Sequence, residues 1–233
     1  MIDWIHKNSL ILLLTAAAIF TFDWLLINKK RLKVKWYAAL ALAVLHVIIG
    51  VACVKLFAIA EAGFDMKKAG SMSLFGAIFF LPAVYYAGAK IFKKNTADVF
   101  DTFTVPMVFT LFSARINCLV NGCCLGQAIG ETGARVPTRE IELVFYMIFL
   151  LSIVSPVYKR KGKGTAFPLF MAAYGLFRFV IEFFRESTMT FGIFHISHIW
   201  AAVSVVAGAM AIAVIKTKHS SSTPARSGIR RIA

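Results

Sequence analysis

The stretch WYAALALAVLHVIIGVACVKLFAIA, residues 36–60, exceeds the ~20 apolar residues that a helix needs to cross a ~30 Å hydrocarbon layer. Within such a layer every backbone amide must be paired inside its own segment, so a helix is the spanning element to expect. Working outward, comparable apolar runs occupy residues 9–27, 72–92, 97–112, 141–157, 165–184 and 196–215, which makes seven expected spans. Composition agrees with this reading. With 59% hydrophobic and 14% aromatic residues and a mean hydropathy of +0.76, the chain carries more apolar surface than one soluble core of 233 residues can hide, and lipid must cover the rest.

The formal net charge of +15 is not spread evenly. Basic residues collect in alternate connections: Lys29, Lys30, Arg31, Lys33 and Lys35; Lys90, Lys93 and Lys94; Lys159, Arg160, Lys161 and Lys163; then Lys216, Lys218, Arg226, Arg230 and Arg231. These mark the cytoplasmic side by the positive-inside rule, so the charge reports topology and not a nucleic-acid partner. Seven spans then place the amino terminus outside and the carboxyl terminus in the cytoplasm. The first span lacks the short apolar core and cleavage site of a signal peptide and is read as part of the mature protein. Residues 1–215 are expected to form a single transmembrane helical domain, and the Ser- and Arg-rich residues 216–233 a disordered basic tail attracted to anionic headgroups.

The chemically unusual residues fall on the opposite, non-cytoplasmic side. Between the fourth and fifth expected spans runs SARINCLVNGCCLG, residues 113–126, too polar for lipid and too patterned for a plain connection. Arg115 with the nearby amides of Asn117 and Asn121 is what phosphate binding requires, and Gly122 and Gly126 permit close backbone approach. The bland alternative is a re-entrant cap that tucks polar groups inside. Cys118, Cys123 and Cys124 admit three readings: packing thiols, an outward-facing disulfide, or a reactive or metal-binding group. Their spacing lacks the C-x-x-C pair of a zinc ribbon, which makes metal the least favoured of the three.

The sixth expected span contains YGLFRFVIEFFR, residues 174–185. Tyr174, Arg178 and Glu182 recur at i, i+4 and i+8 on one helical stripe, with Arg185 one turn further. An arginine inside a span is costly unless it faces a cavity or a partner, so Arg178 is a candidate anion ligand; the competing reading is a structural Arg178–Glu182 pair. In PTREIE, residues 137–142, Thr138 is expected to cap the fifth span and an early Glu suits the helix dipole, while Glu142, one turn inside, has the position to orient an arginine or act as a base. His198 is a further candidate base, against an interfacial role for His195 and His198. Asp23, Asp98 and Asp101, near the cytoplasmic ends of spans, are expected to snorkel or to pair with the basic connections, and His46 and Cys53 to pack.

At these residues the sequence resembles the bacterial prolipoprotein diacylglyceryl transferase family, over residues 70–208. Residues 115–122 are similar to its G-R-x-G-N-F-x-N-G signature, Pro137-Thr138 with Glu142 to its P-T/S-Q-x-Y-E, and Tyr174-Gly175-x-x-Arg178-Phe179-x-x-Glu182-x-x-Arg185 to its Y-G-x-x-R-F-x-x-E-x-x-R. Departures are visible: Phe75 stands where the family's H-G-G-L segment has its His, Cys118 at the signature Asn, and Cys123 at an acid. The resemblance implies an enzyme of the bacterial cytoplasmic (inner) membrane that needs no cofactor. It would move the diacylglyceryl group of phosphatidylglycerol, or a similar anionic phospholipid, to the cysteine thiol of a prolipoprotein or related acceptor, forming a thioether and releasing glycerol phosphate. Arg115 and Arg178 would hold the lipid phosphate, Tyr174 and Glu182 would orient them, Gly122 and Gly126 would let the backbone close over the headgroup, and Glu142, Glu182, His198 or a loop cysteine would take the acceptor's proton. Two other classes remain: a lipid-binding or translocating protein with the same arginine clamp and no chemistry, and a membrane thiol-redox protein working through the loop cysteines.

Overall fold

A computed structural model describes residues 2–64, 72–131, 133–186, 190–191 and 193–221. Its helices are α1 (Ile2–Ile27), the short α2 (Lys29–Leu32), α3 (Trp36–Glu61), α4 (Phe75–Ile91), α5 (Thr96–Val120), α6 (Thr138–Tyr158), α7 (Ala166–Ile181) and α8 (Ile196–Ser221). A 3-10 turn, Glu182–Phe184, extends α7, and a small hairpin of β1 (Thr190–Phe191) and β2 (Phe194–His195) leads into α8. Among the described residues six helices are long and apolar enough to cross a membrane, and α4, with 17 residues, is a shorter seventh. The chain is an all-α, multi-span membrane protein.

The central position belongs to α5, which packs against α1, α4, α6 and α7. Half of its apolar span is buried within the bundle, compared with 22% for α1 and α8, whose remaining apolar surface is left for lipid. Between α7 and α8 the helices approach through small residues: a Cβ on Gly175 would stand 2.6 Å from the Ala201 carbonyl oxygen, and one on Gly208 would stand 2.7 Å from that of Pro168. Without a hydrophobic force between helices in lipid, such close backbone contact is what holds a pair together.

At the end of the bundle where α1 and α2 meet α5, Arg31 is clamped by Asp98 at 2.5 Å and Asp101 at 3.2 Å, and its Nη1 donates to the Val157 carbonyl at 2.9 Å. Asp101 is fully buried and also accepts the amides of Gly164 at 2.9 Å and Ala166 at 3.1 Å, at the start of α7. The expected pairing of Asp98 and Asp101 with a basic connection is therefore present. Asn95 caps α5 by accepting the Asp98 amide.

Three expectations change. The run read as a connection from Ser113 is helical to Val120, because Arg115 turns into the bundle and meets Glu142 while the Ser113 hydroxyl donates to the Phe109 carbonyl one turn back in the same helix, so the polar residues need no loop. Thr138 does not cap α6; Pro137 holds the cap position, and the Thr138 hydroxyl donates to the Cys124 carbonyl at 3.1 Å, tying the connection to the helix start. The tail boundary at residue 216 gives way to α8, which continues to Ser221; the later tail residues lie outside the described ones.

Candidate functional site

Three helices each deliver one strong cation or anion to a common point. Glu142, one turn into α6 and fully buried, faces Arg115 of α5, Arg178 of α7 and Arg185 just beyond the 3-10 turn. Arg115 Nε lies 2.5 Å from Glu142 Oε2 as an ionic contact without hydrogen-bond alignment. Arg178 Nη1 and Arg185 Nη1 both donate to Glu142 Oε1, at 3.0 and 2.9 Å. Glu182 carries the second carboxylate: Arg178 Nη2 lies 2.9 Å from its Oε2, Arg185 Nε 3.7 Å from the same oxygen, and His195 Nδ1 3.6 Å from Oε1. Three guanidiniums thus share two carboxylates in a low-dielectric interior, where unmatched charge is expensive.

The donors are not all used. Arg115 Nε, Arg178 Nε and the Tyr146 hydroxyl are buried without an aligned hydrogen-bond partner among the described residues, and so are the Glu142 Oε2 and Glu182 Oε2 acceptors, which the arginines meet as ionic contacts. Tyr146 stacks on Tyr174, with ring centroids 6.2 Å apart, and both lie within electrostatic reach of Arg115, Arg178 and Glu142. Phe75, from the start of α4, meets the Tyr174 ring edge-on at 5.6 Å. Glu61, the last residue of α3, approaches the cluster beside Ser73 and Trp200, within reach of Arg178 and Glu182.

The α5–α6 connection closes over this cluster as a bridged hairpin. The Gly126 amide donates to the Val136 carbonyl, the Val136 amide to Gln127, and the Gln127 amide to Phe184, which docks the hairpin on the end of α7 and bridges Gly126 to Arg185. Gly126 is required by that docking: a Cβ there would fall 2.5 Å from the Phe184 carbonyl oxygen. Its role is packing against α7, not an open approach to a headgroup. Gly122 has φ +66 and ends α5 in the left-handed region that glycine tolerates.

Other expected residues are placed differently. The Asn121 side-chain amide donates to Ser9 of α1 at 3.0 Å and to Asn117 Oδ1 at 3.1 Å, and Ser9 donates to Asn117 Oδ1 at 2.7 Å, so these amides join α5 to α1 instead of facing the arginines. His198 is packed among Phe179, Phe183 and Phe194, and its Nδ1 accepts the His195 amide at 2.9 Å. It is His195 that looks toward Glu182. Tyr174, Arg178, Glu182, Glu142, Arg115 and Arg185 do converge. Tyr146, Glu61 and His195 are additions that sequence reasoning did not single out as site residues; the one available signal was Glu61, the single acid of its span.

The three cysteines of the connection lie at the edge of the cluster. Their sulfurs are all within 4.8 Å of one another, and Arg115 Nη1 is 4.0 Å from Cys118 Sγ. The hydrogen bond from the Cys118 thiol, with help from Arg115 and Arg185, pulls the Cys124 thiol down to about 5, while burial and the neighbouring Cys124 push Cys123 up.

Comparison with known proteins follows the same residues. The family model described as prolipoprotein diacylglyceryl transferase matches residues 5–214. Among curated relatives, the phosphatidylglycerol–prolipoprotein diacylglyceryl transferase of Mannheimia succiniciproducens is 31% identical over 137 residues, covering 54% of this chain and 51% of that protein. That of Idiomarina loihiensis is 32% identical over 136 residues, covering 53% and 51%, and that of Dehalococcoides mccartyi 25% over 130 residues, covering 49% and 50%. The chain spans about half the length of the curated relatives it matches. With the family match running from α1 into α8 and through every helix that supplies the arginine cluster, the chain belongs to the prolipoprotein diacylglyceryl transferase family.

Proposed function

We propose that this protein transfers the diacylglyceryl group of phosphatidylglycerol, or a closely similar anionic phospholipid, to the cysteine thiol of a prolipoprotein at the outer face of a bacterial inner membrane. The observation that carries the reading is the convergence of Arg115, Arg178 and Arg185 on the single carboxylate of Glu142. Glu142 holds the guanidiniums in place before substrate arrives, and the Arg178 Nε, buried without an aligned partner among the described residues, is a donor that a phosphate oxygen would take. In the reaction a sulfur–carbon bond forms at the glycerol carbon bearing the phosphate, the carbon–oxygen bond breaks, and its electron pair leaves on glycerol phosphate. Negative charge grows on that leaving group, and fixed guanidiniums in a dry site stabilise it best where it develops. Tyr146 and Tyr174 line the buried side of the cluster and Glu182 orients Arg178.

The amino terminus lies outside in this reading, with the cluster near the outer ends of α5 and α7 and the Arg31 end toward the cytoplasm. The test is to incubate the purified protein with headgroup-labelled phosphatidylglycerol and a lipobox peptide. Release of glycerol phosphate together with a thioether on the peptide is expected. Binding of the lipid with no release would overturn the transferase reading in favour of a lipid-binding protein. Labelling of single cysteines before Lys7 and after Lys216 with an impermeant reagent tests the orientation, and modification of both ends from one side would contradict it.

A further inference from the structure

Cys118 sits in the last turn of α5, and Cys123 and Cys124 follow Gly122. Positive φ at Gly122 (66°) and at Cys124 (60°) folds the chain back on itself, and this reversal is what gathers the three sulfurs within 4.8 Å of one another. A residue with a Cβ adopts the left-handed region only against a steric penalty. A disulfide engages two sulfurs and leaves the third without a purpose. A tetrahedral thiophilic ion, with metal–sulfur bonds of about 2.3 Å, engages all three and spaces them by roughly 3.8 Å, within about an ångström of the arrangement here.

The surroundings fit such a group. Three thiolates on a divalent cation carry one net negative charge, and Arg115 lies 4.0 Å from Cys118 while Arg115 and Arg185 both act electrostatically on Cys124. Cys123 is exposed and Cys118 and Cys124 are half-buried, so the tripod is open on one side and faces the arginine cluster on the other. Sites with three protein ligands keep a fourth position for a reacting group.

We propose that Cys118, Cys123 and Cys124 form a three-thiolate site for a thiophilic divalent cation of the zinc type, whose fourth position receives the acceptor cysteine. This second part rests on the transferase reading above. A thiol that coordinates such an ion gives up its proton to water. The resulting thiolate attacks the glycerol carbon, the sulfur–carbon bond forms as the carbon–oxygen bond breaks, and the electron pair departs on glycerol phosphate held by Arg115 and Arg178. No oxidant or reductant is needed. The site gives the acceptor's proton a route that does not pass through Glu142, which is committed to three arginines.

The experiment is a cadmium titration of the reduced, chelator-treated full chain in detergent, followed by the ultraviolet cadmium–thiolate charge-transfer band. One ion per chain is expected. Each of Cys118→Ser, Cys123→Ser and Cys124→Ser should weaken binding by at least about tenfold, since direct ligands weigh no less than the outer-sphere partners that cost 10–100-fold, and Cys53→Ser should leave it unchanged. Absence of the band, its survival in the triple serine variant, or recovery of the untreated protein with a disulfide between any two of the three overturns the site. Phosphatidylglycerol turnover with a lipobox peptide separates the two layers. Release of glycerol phosphate that stops on chelation and returns with zinc supports the fourth-position role. Undiminished release after chelation and in the triple variant overturns that role while leaving the transferase reading intact. A stoichiometric cadmium band with no glycerol phosphate released under any metal condition upholds the metal site and overturns the transferase reading with its fourth-position role.

Discussion

Two buried charge clusters sit in this bundle, and they are built from the same chemistry to different ends. Around Arg31 the acids are in excess, yet the surplus is absorbed: Asp101 accepts two amides at the start of α7, and the third nitrogen of Arg31, Nη1, donates to the Val157 carbonyl. Around Glu142 three guanidiniums face two carboxylates, and the surplus positive charge is ion-paired with no further acid there among the described residues. One cluster, closed, has its surplus charge met by the protein; the other, open, keeps a positive charge that a lipid phosphate would complement in the proposed reading. Burial and charge alone do not separate a structural ion pair from a binding site, because both clusters have plenty of each. The sign of the charge left over, and whether the protein itself meets it, does.

Breaking the closed cluster should produce the largest loss of folding. Asp101→Ala leaves Arg31 with one acid and strips the start of α7 of its acceptor, and removal of one partner from a buried pair costs about 3–5 kcal/mol. Thermal melting in detergent reads this, and the fraction that remains folded should turn over phosphatidylglycerol within a few-fold of the parent. A dead but stable Asp101→Ala protein would erase the distinction between the clusters.

In the open cluster the loss should appear in turnover. Arg178→Lys keeps the charge but removes the planar fork that spans Glu142 and Glu182, and loss of one transition-state donor costs roughly 10²–10³ in rate. The same assay should find Arg178→Ala hardly worse. Near-parental activity for the lysine variant would mean that point charge, without bidentate geometry, is all the site uses.

Glycines sharpen the contrast at intermediate size. A Cβ on Gly162 would stand 2.6 Å from the Asp101 carboxylate, and one on Gly126 would stand 2.5 Å from the Phe184 carbonyl that docks the hairpin beside Arg185. Each Ala variant should lose about 1–3 kcal/mol by overpacking. Only Gly126→Ala should lose turnover beyond what its stability explains, which melting and rate measurements on both proteins will separate. The smallest effect is expected for Asn121→Ala, which gives up its hydrogen bond to Ser9 at the outer edge of the bundle for about 0.5–1.5 kcal/mol and leaves the arginines untouched.

The spans were legible in the sequence because bilayer thickness imposes a length that an apolar run either meets or misses. The Tyr174, Arg178, Glu182 and Arg185 stripe was legible for a similar reason, since helical spacing is a local rule. Glu142 was visible as a misplaced acid, but its place at the centre of three arginines depends on the mutual register of α5, α6 and α7, which no local pattern encodes. The helical continuation from Ser113 to Val120 was missed because polarity was read as exposure to water, when those side chains face the bundle. Asn117 and Asn121 were assigned to the headgroup and in fact bond Ser9, a residue more than a hundred positions away. The gathering of the cysteines follows from two left-handed residues, and nothing in their spacing announced it.

The central claim, that the Glu142 cluster is a site for the lipid phosphate and not a second piece of joinery, is tested most directly by the Arg178→Ala, Glu182→Ala double variant. Removing Arg178 and Glu182 together leaves the net charge of the cluster unchanged, with Arg115 and Arg185 still on Glu142, so a purely structural role predicts that both folding and turnover return toward the parent. The account predicts a double variant that melts near the parental temperature and releases no measurable glycerol phosphate from phosphatidylglycerol. Recovery of lipid turnover in that protein would contradict it.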